Sequence, residues 1–475
     1  MASRVGQPRL ETILLRRIVE SPETPLLVCG PDCWSTARFA TLCANLARRL
    51  QALPGSSRAI GVSAESSRWL PFMFWSSVLA GLDVLLIPAQ KRSGQLSAIA
   101  APLGLRAVFS DVADLAPAGS VFRLDDLLEM AEREAAGGAG TDTCTPLFDD
   151  AAFVFQTSGT EGEPKTVRCE YWQFAKVIDA MLAAGALEHA RGRQAFISQP
   201  LVHSYGLSVF LEYCAAGATI VLPAGRSALG PVGDLMTGEG IAEIDAVEGV
   251  PFFWSQFAKL RSKIHLPRLR HLGVGGGRLD PGVMQGVLEL VPNATVSVRY
   301  GLTETPSVAT HKLYTPPHEQ GREWRSSGRV IPAYDVVIRA EDSAVAAPGE
   351  EGEIVVSGDC VSAPDGVLRT GDLGYFDARG ELFVTGRRSA FIKRRGYRLS
   401  PEFIEAVAGT CDGILDCRAR GRDDRLILEV VAAPGRSDRE LLAALREQLP
   451  DTMVPDMLER VEQIPRTYSG KIKRS

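Results

Sequence analysis

Residues 157–167 read TSGTEGEPKTV, a run of hydroxyls, glycines and charges that follows an apolar segment. Thr157, Ser158 and Thr160 offer hydroxyl donors. Gly159 and Gly162 permit turns with exposed backbone amides, which suit anions. Lys165 adds a positive charge. Together these residue types make a phosphate site; the plainer alternative is a polar turn between two strands. Read from Gly159, the spacing nearly spells the triphosphate loop GxxxxGK[ST]. Pro164 stands where the second glycine belongs, and proline has no N–H and a fixed φ. That break argues against a P-loop kinase or NTPase, a reading that release of γ-phosphate without AMP would revive.

Five further stretches carry reactive side chains or close-approach glycines. PLVHSYGL (200–207) holds His203 and Tyr205. HLGVGGGRLDP (271–281) is a glycine turn along which a flat ring could lie; no acidic residue follows a helix at the distance a dinucleotide site needs. RYGLTET (299–305) sets an aromatic ring, a hydroxyl and a carboxylate in sequence. RTGDLGYFDARGEL (369–382) presents Asp372, an acceptor-only carboxylate with two oxygens. PRTYSGKIKR (465–474) presents Lys471. Each has a bland reading beside the chemical one: a structural histidine, an exposed glutamate after a strand, a turn, a solvated tail lysine.

The elements that must position these groups alternate in type. FATLCANLARRLQAL (39–53) is amphipathic at helical spacing, and AIGVSA (59–64) and LRAVFS (105–110) read as strands. AAFVFQ, ATIVLP, LRHLGVGG and ATVSVRYG are further strands, each ending at the first motif, a glycine or a proline. Such alternation predicts an α/β architecture with largely parallel sheets. Residues 131–151 lose periodicity and are expected to be a surface connection. From about residue 325, short strands punctuated by glycine suggest a small β-rich unit. After Arg387 the pattern becomes α+β, with PEFIEAVAG and DRELLAALREQL helical and RLILEVVAAP a strand. The expected division is 1–386 as a large N-terminal domain and 387–475 as a small, mobile C-terminal lid.

The 475 residues are too many for one ordinary core. The net charge of −5 leaves no basic footprint for nucleic acid. Nine cysteines lack CxxC spacing and no signal pattern precedes them, so the expected compartment is a reducing cytoplasm. Neither the pair Cys29/Cys33 nor Cys411/Cys417 has histidines at finger spacing. The apolar run 69–89 contains Asp83 and is broken by Pro71, Gly81 and Pro88, which argues against a membrane span. It reads instead as a buried helix to about Ala80, a turn at Gly81–Asp83 and the strand VLLIP.

TSGTEGEPKTV and the later motifs, in the same order along nearly the whole chain, resemble the adenylate-forming superfamily of acyl- and aryl-CoA synthetases, nonribosomal peptide synthetase adenylation domains and luciferases. The resemblance implies that the first loop, with Thr157, Ser158, Gly159, Thr160, Gly162 and Lys165, grips ATP phosphates. It implies that Gly275 and Gly276 pack along adenine, on which Tyr300 stacks beside Gly301. Thr303 would reach the α-phosphate and Glu304 would hold Mg²⁺, an oxygen ligand for a hard ion. Asp372 and Arg387 would bind ribose or phosphate. His203, Tyr205, Gly206, Gly277 and Leu302 would line the acid pocket. Lys471 would be the catalytic lysine, stabilising charge as the mixed anhydride forms. Lys393, Gly396 and Arg398 would guide a thiol acceptor.

The implied reaction is ATP-dependent adenylation of a small carboxylic acid. Transfer then goes to coenzyme A or to the phosphopantetheine of a carrier protein, or to an amine. A degenerate nucleotide- or acyl-binding protein without turnover is the reading from another class. The expected state is a monomer or homodimer acting on neither nucleic acid nor membrane. Two departures stand out. Ser389 occupies the hinge position where the family usually carries Asp or Lys. No aspartate stands in the 200–210 segment, which disfavours an α-amino acid. Tyr205, Phe252, Phe253 and Trp254 could line a pocket for an aryl acid or could be core.

Overall fold

The computed structural model describes residues 6–55, 57–64, 67–87, 104–111, 121–136, 145–158, 164–225, 230–237, 243–260, 263–277, 281–318, 324–388, 391–394, 397–466 and 472–473. Gly159, Thr160, Gly162, Ser389, Gly396 and Lys471 lie outside these residues, as do Pro88 and 137–144. The side chains of Thr157, Ser158, Lys393 and Arg398 do as well.

Six strands run parallel through the middle of a 13-stranded sheet. In spatial order they are Pro25–Cys29, Thr219–Leu222, Gln194–Ile197, Ala246–Gly249, His271–Val274 and Thr295–Tyr300. They read as near-continuous apolar runs because helices cover the sheet. The expected β-rich unit is the antiparallel continuation of this sheet through Thr310–Tyr314, Ser326–Val330, Leu382–Arg387, Val367–Phe376, Gly352–Ser357 and Asp335–Arg339. A second, 6-stranded sheet is parallel except at one edge, where Ala152–Ser158 pairs antiparallel with Pro164–Glu170. Pro164 opens that edge strand, where a missing N–H costs no ladder bond.

Local sequence explains the boundaries. The helix Thr36–Ala52 starts earlier than periodicity alone predicts because the Ser35 hydroxyl accepts from the Arg38 amide. The helix Leu70–Ala80 is almost wholly buried and stops at Gly81, whose φ of 66° is left-handed. A Cβ at Gly81 would lie 2.6 Å from the Leu147 amide nitrogen, so only glycine passes there.

Two expectations need correction, and one open choice is settled. Asp83 opens the strand Asp83–Leu86 instead of closing the turn. Its buried carboxylate is tolerated because Arg58 Nε at 2.8 Å, Arg168 NH2 at 3.0 Å and the Ala152 amide at 2.8 Å all bind it. Residues 131–136 are the end of the helix Leu124–Ala136, not a connection; Ala131 is buried and its carbonyl accepts from Asn45. Phe253 and Trp254 are core: they pack with Phe257 around the indole, which donates to the Gly273 carbonyl at 3.0 Å.

The C-terminal segment has its own core, built from Ile404, Leu426, Leu428, Val430, Leu441 and Leu445 between two helices and a 3-stranded sheet. It touches the large lobe through the helix Pro251–Leu260: Arg466 lies 4.1 Å over the Phe252 ring, and Lys259 donates to the Leu415 carbonyl. No helix among the described residues is long and apolar enough to cross a membrane. No disulfide joins the described cysteines.

Candidate active site

Three of the motifs lie at the C-terminal ends of the parallel strands. In open α/β sheets that edge is where chain direction leaves a crevice for ligands. Ser204 follows the strand Gln194–Ile197, Gly275 follows His271–Val274, and Gly301 follows Thr295–Tyr300.

Around Thr303 the loop is closely tied. The Thr303 hydroxyl meets the Ser204 hydroxyl at 3.2 Å, and its carbonyl accepts from the Cys169 thiol at 3.2 Å. Thr305 folds back on Leu302, accepting from its amide at 2.9 Å, and the Glu304 carbonyl accepts from the Ser362 amide at 2.7 Å. Gly301 is required by close approach, since a Cβ would lie 2.3 Å from the Ser307 carbonyl oxygen. The Glu304 carboxylate, mostly shielded, faces the exposed Lys165 ammonium at 3.7 Å. A carboxylate and an ammonium are thus presented together, next to the paired strand ends at Ser158 and Pro164. A hard oxygen ligand next to a cationic group suits a metal-bound polyphosphate.

A second cluster forms where Thr295–Tyr300 meets the antiparallel strands. The Tyr300 phenol donates to Asp372 Oδ2 at 2.9 Å, and Arg387 Nε lies 3.4 Å from Asp372 Oδ1. Burial, then the Asp372 charge, holds the Tyr300 phenol protonated well above its usual range. The same register that pairs Asp372 with Arg387 across the sheet aligns both at the site.

Tyr205 is placed differently from Thr303 and Glu304. Its ring packs on Gly275 and Gly276, and its phenol donates to Glu248 Oε2 at 2.8 Å. His203 sits at the helix N-terminus and Gly206 lies under the Pro200 carbonyl, where a Cβ would be 2.5 Å away. Gly277 abuts Pro251 and Leu302 packs on the main core.

The motif reading missed a buried polar network behind Tyr205. Tyr213 donates to Glu248 Oε1 at 2.6 Å, and Arg299 NH1 donates to Glu212 Oε2 at 2.6 Å. His271 stacks on His189 with centroids 3.4 Å apart. The available signal was a glutamate and an arginine inside the strands AVEG and TVSVRY, which otherwise carry no charge. His189, Glu248 and His271 bring one ligand atom each within 4.8 Å of one another. Zinc ligands sit roughly 3.4 Å apart, and the Arg299 guanidinium, 3.7 Å from Glu248, already supplies the cation.

Burial, with Arg299 nearby, pushes His189 and His311 down to about 3, and burial drives His271 well below its usual value. The unfolded chain takes up those protons below about pH 6.5 while the native state refuses them. Stability is therefore complete above that pH and is lost as pH falls toward 3. Burial raises Glu248, which works in the opposite direction above its unfolded value of 4.5. Three histidines outweigh one carboxyl. Unfolding free energies from urea titrations between pH 7 and 5 should fall by roughly 1.4 kcal/mol per pH unit for each net proton, and a His271→Gln variant should flatten the curve.

The model of the AMP-binding enzyme family matches residues 14–363, and that of the AMP-binding enzyme C-terminal domain matches 403–471. The chain belongs to the AMP-binding enzyme family. It is an AMP-forming acid–thiol ligase. A 2-succinylbenzoate–CoA ligase of Bacillus licheniformis is 30% identical over 349 residues, covering 69% of this chain and 70% of that protein. A 4-coumarate–CoA ligase-like 3 protein of Oryza sativa subsp. japonica is 25% identical over 422 residues, covering 82% and 70%. Among solved structures, an anthranilate CoA ligase in complex with anthranoyl-AMP superposes with TM-score 0.83 at 16% identity, over 98% of this chain and 96% of that one. The o-succinylbenzoate CoA synthetase of Bacillus subtilis, with its acyl-adenylate, gives 0.80 at 22% identity, over 98% and 97%. These superpositions establish that this AMP-binding enzyme has the fold expected from its sequence.

Proposed function

We propose that the protein adenylates an aryl carboxylic acid with ATP and passes the resulting acyl group to the thiol of coenzyme A, releasing AMP. The observation that carries this reading is that residues 300–304 join two clusters: Thr303 with Ser204 and Glu304 with Lys165, and Tyr300 with Asp372, which Arg387 flanks. One group is suited to phosphate, the other to a nucleoside. The names of the curated relatives, 2-succinylbenzoate and 4-coumarate ligases, support an aryl acid and coenzyme A.

In this reading the acid lies between His203, Tyr205, Gly206, Gly277 and Leu302, with its carboxylate toward Thr303. Tyr300 and the turn at Gly275 and Gly276 flank adenine. Asp372 accepts from the ribose hydroxyls and Arg387 supports it. Glu304 is the residue that would hold magnesium, which neutralises charge on the triphosphate when bound. Residues 157–165 and Lys471 embrace the phosphates. The lobes 1–386 and 387–475 turn about Ser389, and Lys393, Gly396 and Arg398 then face the thiol.

ATP–pyrophosphate exchange tests it, with aryl, fatty, β-amino and α-amino acids offered without an acceptor. Exchange driven by an aryl acid, followed by formation of its acyl-CoA, is expected. Exchange driven best by a fatty or amino acid, or an acyl-AMP consumed only by a phosphopantetheine carrier or an amine, would overturn it. Asp372→Asn removes charge from hydrogen bonds worth about 1.5–3 kcal/mol. Steady-state kinetics should show a KM for ATP raised by roughly ten- to hundredfold, with the KM for the acid nearly unchanged.

A further inference from the structure

We propose that Cys169, Gln173 and Ser362 are positioning residues, a clamp that holds the Thr303–Glu304 peptide in fixed register with Lys165 before nucleotide binds. This rests on the reading that Glu304 and Lys165 take the magnesium-bound phosphates.

One side of the clamp is the strand Pro164–Glu170. Side chains alternate along a strand, so Lys165, Val167 and Cys169 share a face. Both ends of that face meet the same loop. Lys165 stands 3.7 Å from the Glu304 carboxylate, and the Cys169 thiol donates to the Thr303 carbonyl at 3.2 Å. Val167 between them is buried, as is Cys169. The Thr303 carbonyl belongs to the peptide that joins Thr303 to Glu304. The thiol therefore fixes the plane from which the carboxylate departs.

The other side is the loop at Ser362. Its amide donates to the Glu304 carbonyl at 2.7 Å, and its hydroxyl donates to Gln173 Oε1 at 3.1 Å. The same Gln173 oxygen accepts from the Glu170 amide at 2.7 Å. Gln173 Nε2 reaches the Asp359 carbonyl at 3.4 Å, and Lys176, on the next turn, pairs with the Asp359 carboxylate. Two successive carbonyls are thus held. The strand bearing Lys165 holds the first. The second is held by a loop that the helix Tyr171–Ala183 ties to the end of that strand.

Each residue also has an ordinary use, a small buried thiol in a core or a glutamine closing a helix start. Neither use needs these contacts. The helix start needs only the Glu170 amide, yet Gln173 also takes Ser362, 189 residues along the chain. Groups fixed in advance need not reorganise as charge develops, which is what the clamp secures for Glu304 and Lys165.

Calorimetric titration with the magnesium complex of α,β-methylene-ATP, which cannot lose pyrophosphate, tests this. Adenosine, which reaches only the Tyr300 and Asp372 side, is the control. Cys169→Ala, Ser362→Ala and Gln173→Leu should each weaken the magnesium complex by roughly three- to tenfold, with adenosine changed by about twofold or less. Cys169→Ser keeps a donor and should bind within about twofold of the unaltered protein. A cysteine that merely fills core would rank the other way, because serine buries a hydroxyl and alanine does not. In a Glu304→Gln background the Cys169→Ala loss should shrink, since the group being placed has lost its charge. Adenosine binding verifies folding, and Ser362→Ala stands in should Gln173→Leu fail to fold. If Glu304→Gln weakens the complex while Cys169→Ala and Ser362→Ala do not, the clamp alone is overturned. Serine as weak as alanine at 169, or adenosine lost in step with the complex, also overturns it. Glu304→Gln binding the complex at full strength overturns the phosphate reading and the clamp together.

Discussion

Arg299→Met should destabilise the protein by about 3–5 kcal/mol, the cost of leaving buried carboxylates without their cation. Burial alone would lower the Arg299 pKa, but Glu212 and Glu248 outweigh it and hold the guanidinium firmly charged. Its side chain is only 1% exposed, and the carboxylates it serves are 0% exposed. Water therefore cannot replace it. A whole domain is worth about 5–15 kcal/mol, so the loss should be plain in a urea midpoint. The double variant Arg299→Met with Glu212→Gln should recover part of it, since the acid 2.6 Å away then carries no charge. An unchanged midpoint in the single variant would mean that the network contributes little to stability.

That network marks where sequence reading ran out. Motif residues are legible because their types are unusual together: RYGLTET announces Tyr300, Thr303 and Glu304 whatever surrounds them. The strands were legible from apolar runs ending at glycine or proline, and so was the parallel order that alternating helices impose. Glu248 and Arg299 sit 51 residues apart, and only the adjacency of Ala246–Gly249, His271–Val274 and Thr295–Tyr300 brings them together. Their partners Glu212 and Tyr213 come from a helix on the face of the sheet. Pairing across strands is a tertiary fact that no local pattern encodes. Asp83 failed for the same reason. A lone acid after glycine reads as a turn, and only Arg58 and Arg168, from other strands and loops, make it a buried anchor. Phe253 and Trp254 followed a related rule: an aromatic run after a strand can face a ligand or a core, and the side of the sheet decides.

Lys471→Ala should slow acid-dependent ATP–pyrophosphate exchange by about 10²–10³-fold, the usual effect of removing one group that stabilises transition-state charge. Transfer of the acyl group from a pre-formed aroyl-AMP to coenzyme A should change by no more than a few fold. The flanking chain explains why a tail lysine can be positioned at all. Arg466 bridges to Ile472, and the Lys473 amide donates to the Pro465 carbonyl at 2.9 Å, so the intervening segment is closed at its base. Arg418 donates to the Lys473 carbonyl at 2.8 Å. Arg466 is bound to Asp416 of the small lobe at 2.6 Å and lies over Phe252 of the large lobe. The base of the lysine segment is thus fastened to both lobes at once, in one relative orientation. In the proposed reading, where the lobes turn between half-reactions, an ammonium on such a segment would act in the half-reaction that this orientation serves and be withdrawn in the other. Equal loss of exchange and transfer would instead mean that the substitution damages the lid as a whole. Unchanged exchange would remove Lys471 from the chemistry.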